Sequence, residues 1–130
     1  MRVWRLCRRR HAAFDGEGAR LAGGRWNEPG TALVYTSATL SLAALECLVH
    51  VTHEELPSDL VAVAADIPDR VKRIDVVVGS VPERDWRGYP ALLDLCAWGT
   101  RWASGMESAV LAVPSTVVPR ERNYLLNPAH

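Results

Sequence analysis

Gly24–His53, GRWNEPGTALVYTSATLSLAALECLVHVTH, is the stretch on which the reading of the chain turns. Asn27-Glu28-Pro29-Gly30 is turn chemistry: proline fixes φ at one central position and glycine accepts a positive φ at the next. Gly24–Asn27 and Thr31–Thr36 are therefore expected to form two antiparallel strands that bring Arg25 close to Tyr35. Thr39 or Ser41 can cap a following helix that runs through Leu42, Leu45, Leu48 and Val49 to about His53. At about 100° per residue, Glu46 falls on the border of that apolar stripe rather than opposite it. An unpaired carboxylate there would cost on the order of several kcal/mol, so something must compensate it. A structural salt bridge to Arg25 is one solution. The other is a cleft in which Arg25 meets an anionic substrate group and Glu46 meets a hydroxyl or a developing cation.

Composition narrows the classes around this stretch. The chain has 130 residues, 48% of them apolar, which fits one domain, 1–130, with a real core. Lys+Arg and Asp+Glu both number 15, giving a net charge of zero, which argues against direct nucleic-acid binding. Arg8-Arg9-Arg10 is a dense basic cluster of the kind that more often forms a solvated face or a partner contact. Cys7, Cys47 and Cys96 are odd in number and lack CxxC spacing, so they read as free thiols in a reducing cytoplasm. No segment resembles a signal peptide and no apolar run has the length of a membrane span, so a cytoplasmic location with no membrane contact is expected.

Taken in order, Val3–Cys7 alternates like a strand, and His11–Gly24 is a glycine-rich connection. Gly16-x-Gly18 lacks the preceding strand and third glycine of a dinucleotide fingerprint. Leu60–Ile67 is a continuous apolar run typical of a strand buried on both faces. A short strand is expected within Val71–Val78, in a connection punctuated by Gly79, Pro82 and Gly88. Pro90–Ser104 returns to helical spacing, with Leu92, Leu93, Leu95, Cys96, Gly99 and Trp102 on one broad face ended by Gly105. Ala109–Val113 and Thr116–Val118 follow as two short strand-like runs, and Asn123–Pro128 is apolar between amides. Helices and strands mix without βαβ alternation, which predicts an α+β domain with a largely antiparallel sheet.

Arg25 in GGRWN, Tyr35 in LVYTS, Glu46 in SLAALECLVH, Ser115 in VPSTVVP and the closing NYLLNPAH together resemble the RES domain, named for its Arg, Glu and Ser. The resemblance runs from Val3 to His130. It implies an ADP-ribosyltransferase-like fold with a small, split, mostly antiparallel sheet and flanking helices. It also implies the toxin half of a bacterial toxin–antitoxin module, paired with an Xre-type helix-turn-helix antitoxin, with a toxin homodimer inside the complex. The implied activity is degradation of NAD by hydrolysis or phosphorolysis, with NAD and phosphate as substrates and no resident cofactor or metal. Glu46, Arg25 and Tyr35 would be catalytic. Arg25, Tyr35, Ser115, Trp26 and Asn127 would bind NAD. Relatives continue through a further strand beyond the position of His130, so that strand is expected to be absent here.

The chemistry agrees with these roles. Cleavage of the nicotinamide–ribose bond develops positive charge on the ribose, which a held carboxylate favours, and a guanidinium fork suits a pyrophosphate. Each residue also has a plainer reading: packing for Tyr35 and Trp26, and turn chemistry for Ser115, Asn27 and Asn127. Two rival functions stand beside NAD degradation. Glu46, His50 and His53, at i, i+4 and i+7, could gather a metal on one helical face, although no HExxH occurs. Alternatively the domain transfers ADP-ribose to a protein, or is a non-catalytic partner-binding module whose tryptophans, Trp4, Trp26, Trp86, Trp98 and Trp102, contribute to an interface.

Overall fold

A computed structural model describes residues 1–77 and 85–130. Among these residues six strands form one sheet: β1 (Arg2–Arg8), β2 (Val34–Ser37), β3 (Leu60–Asp66), β4 (Arg73–Asp75), β5 (Val110–Pro114) and β6 (Arg122–Leu126). Their order is β3-β1-β2-β6-β5-β4, antiparallel except for the parallel β4–β5 pair. Among the described residues three α-helices flank it: α1 (Glu17–Ala22), α2 (Leu40–Leu48) and α3 (Leu93–Gly105). The architecture is the α+β, mostly antiparallel one expected.

The sheet is nearly divided. β1 pairs with β3 along its whole length, from Arg2–Asp66 to Arg8–Leu60, but meets β2 through the single pair Trp4–Ser37. Beyond that pair β1 and β2 diverge and leave a cleft between two half-sheets. On the β2 side, cross-strand pairs Tyr35–Leu125 and Leu111–Leu125 set a face on which the core collects. Leu33, Leu95, Leu111, Val113 and Leu125 are buried there with Trp26, Trp86 and Trp102. Each such side chain contributes about 1.5–3 kcal/mol on leaving water. Trp4 and Trp98 are only half-buried.

Several expected elements are differently built. Gly24–Asn27 is not a strand paired with Thr31–Thr36. It closes on itself through a bridge between Gly24 and Asn27, and β2 is confined to Val34–Ser37 between β1 and β6. The cause is Asn27, whose Nδ2 donates to the carbonyls of Ala19, Glu28 and Thr31 and curls the segment. Thr39 does cap α2, accepting from Leu42 N at 3.1 Å, but the helix ends at Leu48 rather than near His53. Thr52 and Glu55 form their own capping box on a 3-10 turn, in a region rich in β-branched residues that resist helix.

Leu45, Leu48 and Val49 are exposed, so the buried side of α2 is Leu42 and Ala43. The Leu60–Ile67 run forms edge strand β3 with one side open to solvent, because its alternate residues are small alanines. Within Val71–Val78 the strand is Arg73–Asp75, and Val78, Gly79 and Pro82 lie outside the described residues. Leu93 points to solvent from the otherwise buried face of α3. Thr116–Val118 is a bend, with β6 taking the strand role from Arg122.

Candidate active site

A cavity of about 620 Å³ fills the cleft between β1 and β2, within the range of ligand sites. Arg25, Tyr35 and Glu46 all line it, together with Trp4–Cys7 of β1, Ala43 and Cys47 of α2, His50 just beyond that helix, and Asn123 of β6. Ala43, Glu46 and Cys47 follow helical spacing, so the face of α2 that Glu46 occupies is the cavity face and not the rim of a leucine stripe.

Glu46 is held from two sides. Ser115 Oγ donates to its Oε1 at 2.6 Å, and Asn123 Nδ2 donates to the same oxygen at 2.6 Å. Ser115 is itself fixed, because its Oγ accepts from the backbone N–H groups of Val117 and Val118. Both bonds to the carboxylate land on Oε1. Among the described residues Oε2 has no protein partner, and no ion pair joins Glu46 to Arg25. The salt-bridge solution to the half-buried carboxylate is thus not the one adopted: neutral donors fix one oxygen and leave the other without a protein partner among the described residues.

Arg25 is anchored by Nη1, which donates to the carbonyls of Trp86 at 2.9 Å and Gly88 at 2.8 Å. Burial lowers its guanidinium below the ordinary value, while the Glu46 carboxylate pulls it back up. The group stays charged. The loop that presents it is gripped by one face of α3. Cys96 Sγ donates to Gly24 O at 3.1 Å, Glu28 N donates to Thr100 Oγ1 at 2.9 Å, and Gly99 packs directly beneath Trp26. A Cβ on Gly99 would lie 1.9 Å from the Trp26 carbonyl oxygen.

Tyr35 lines the cavity with its ring, but its hydroxyl is committed to the loop: it accepts from Trp26 N at 3.0 Å and donates to Asn27 Oδ1 at 2.7 Å. Burial pushes this phenol far above its ordinary range. Tyr35 therefore shapes the wall and locks the Arg25 loop, and its oxygen is not free for proton transfer. Ser115 is fully buried and acts on the cavity through Glu46.

Two of the expected ligand-binding residues lie elsewhere. Trp26 is a core residue, 5.9 Å edge-on from Trp98. Asn127 is buried at the far end of α3, donating to Ala103 O at 2.8 Å and accepting from Ala129 N. Neither lines the cavity; an indole and an amide in short motifs carry no sign of which way they face. Conversely, Asn123 and the His50–Tyr89 stack, with ring centroids 5.3 Å apart at the cavity, were not foreseen. The signal for Asn123 was present as the first amide of NYLLNP, but its approach to Glu46 depends on strand order. The metal face of Glu46, His50 and His53 does not form, because α2 stops before both histidines, and no metal-competent group of three ligand side chains occurs among the described residues.

Comparison with known proteins bears on this geometry. A family model described as the RES domain matches residues 2–130. The chain is 40% identical over 133 residues to a Sphingobium protein named Prs ADP-ribosylating toxin, covering 98% of this chain and 82% of that one. It is 38% identical over 130 residues to Toxin Res of Photorhabdus laumondii, with 98% and 82% covered. A chain in the crystal structure of the M. tuberculosis MbcT–MbcA toxin–antitoxin complex matches with a TM-score of 0.70 at 18% identity, over 96% of this chain and 72% of that chain. That likeness shows a shared fold.

Proposed function

Since the chain belongs to the RES domain family, we propose that it is the toxin of a bacterial toxin–antitoxin pair and that it cleaves the nicotinamide–ribose bond of NAD, depleting the cofactor and arresting growth. The observation that carries the reading is the one-sided fixing of Glu46. With Oε1 tied to Ser115 and Asn123, Oε2 of this cavity-lining residue has no protein partner among the described residues and serves as a preorganised acceptor for a ribose hydroxyl and a negative charge beside C1′. As the C1′–N bond breaks, nicotinamide departs with the electron pair and the ribose gains oxocarbenium character, which the carboxylate stabilises. An oxygen of water or phosphate then bonds to C1′, and its proton passes to solvent when water attacks. Arg25, held by Nη1, directs its remaining N–H donors at the diphosphate.

An antitoxin, of the Xre type that the sequence resemblance implies, is the proposed partner. A second reading, transfer of ADP-ribose to a protein, is favoured by one observation, the name of the Sphingobium relative. Both share the same bond cleavage and differ in the acceptor. Mass identification of the products from NAD, with and without phosphate and with a bacterial lysate, tests the proposal: ADP-ribose or its 1-phosphate is expected. ADP-ribosylated protein with no free ADP-ribose would move the assignment to the second reading, and intact NAD in every arm would refute both.

A further inference from the structure

Tyr35 and Ser37 are two residues apart on β2 and so share one side of it, and both line the Glu46 cavity. Ser37 stands directly opposite Asn123 of β6 in the ladder, and on its other edge it pairs with Trp4, where the two half-sheets meet. Its hydroxyl is buried and donates to Asn123 Oδ1 at 2.7 Å. Asn123 Nδ2 in turn donates to Glu46 Oε1 at 2.6 Å, the oxygen that Ser115 also holds.

An asparagine amide donates at one end and accepts at the other, whereas a carboxylate only accepts. Asn123 can therefore hold Glu46 through Nδ2 alone, and its Oδ1 must find a donor elsewhere. Ser37 is that donor, and among the described residues no second one reaches Oδ1. Without the hydroxyl, the acceptor end of a half-buried amide is left unpaired, which favours turning it away into the cavity. Ser115 would then hold Glu46 alone.

We propose that Ser37 is a positioning residue of the site, which fixes the orientation of the Asn123 amide and through it that of the Glu46 carboxylate. The proposal deepens the NAD-cleavage reading and rests on it for the reaction, while the relay from Ser37 through Asn123 to Glu46 is measurable without turnover.

Nicotinamide release by the purified full chain tests it in the wild type, Ser37→Ala, Ser37→Thr, Asn123→Ala and the Ser37→Ala/Asn123→Ala double variant. Loss of one neutral hydrogen bond predicts a kcat about 2- to 10-fold lower in Ser37→Ala with KM little changed. Ser37→Thr, which keeps the hydroxyl, should recover part of that loss. In the Asn123→Ala background, removing the Ser37 hydroxyl should lower kcat no further, because the relay is already cut. If Ser37→Ala fails to fold, Ser37→Cys, a weaker donor of similar size, should show a smaller loss of the same kind. Wild-type kcat in Ser37→Ala, or losses that add in full in the double variant, overturns the proposal. Hydrogen exchange of the Asn123 side-chain amide, followed by NMR, reads the relay directly: it should be slow in the wild type and at least several-fold faster in Ser37→Ala. Equal exchange in both proteins overturns the proposal. A wild type that releases no nicotinamide yet shows this difference in exchange would sink the cleavage reading and leave the positioning role of Ser37 standing.

Discussion

In the proposed reaction Glu46 works only if one carboxylate oxygen is held still while the other is free, and that division rests on two neighbours. Asn123→Ala removes a donor to a charged acceptor, a bond of about 1.5–3 kcal/mol, so kcat on NAD should fall roughly 10- to 100-fold, and the melting temperature should fall too because Asn123 Oδ1 also accepts from the buried Ser37 hydroxyl. Ser115→Ala should cost more in stability, because the same hydroxyl also satisfies two backbone N–H groups. Tyr35 makes a different prediction. Its phenol would ionise near 10.0 in the unfolded chain but holds its proton to higher pH when buried. The folded state therefore binds more protons above that point, and stability present below pH 10 is lost as pH rises through it. Cys7 and Cys96, also pushed up by burial from 9.0, act in the same sense. Urea unfolding of Tyr35→Phe should show lower stability at pH 7.5, since Trp26 N and Asn27 Oδ1 lose their partner, but a smaller drop from pH 7.5 to 10.5 than the wild type shows.

Among the elements, α3 does the positioning. Cys96, Gly99 and Thr100 fall on one helical face and seize the Arg25 loop at Gly24, Trp26 and Glu28. Alanine normally improves a helix by about 1 kcal/mol over glycine. At Gly99 the new methyl would meet the Trp26 carbonyl, so Gly99→Ala should instead destabilise by about 1–3 kcal/mol and depress NAD turnover by displacing Arg25. Denaturant midpoints together with kcat/KM check both effects. This dependence also explains what could be read from the sequence. Glu46 stood out because a carboxylate amid Leu42, Leu45 and Leu48 conflicts with helical patterning, and Thr39 as a cap was written in local chemistry. The hairpin expected around Asn27 failed because the asparagine side chain bonds three carbonyls that span Ala19 to Thr31, a tertiary choice that overrides turn propensity. The exposure of Leu45, Leu48 and Val49 was hidden for the same reason: periodicity finds a stripe but not what lies opposite it.

At the scale of the molecule, function comes from a sheet that does not close. The Trp4–Ser37 pair is the junction of the two half-sheets, and residues of both β1 and β2 line the cavity. Side chains from separate elements meet there: Arg5 from β1, Arg25 from the loop before β2, Glu46 from α2 and Asn123 from β6. A ligand spanning the cleft should tie the halves together. ADP-ribose at 100 times its Kd is expected to raise stability by about 2.7 kcal/mol, with hydrogen-exchange protection concentrated at Trp4–Cys7 and Tyr35–Ser37. The split was implied by family resemblance; its location was not, since single-pair contact between strands far apart in sequence leaves no local pattern.

The central claim is that the free oxygen of Glu46 drives loss of nicotinamide from NAD. Its most direct test is nicotinamide release by the purified chain, separated from any partner, in the wild type and Glu46→Gln. A decrease of about 10²–10³-fold with an unchanged circular dichroism spectrum and melting temperature is predicted. Release at the wild-type rate by a folded Glu46→Gln protein would contradict it.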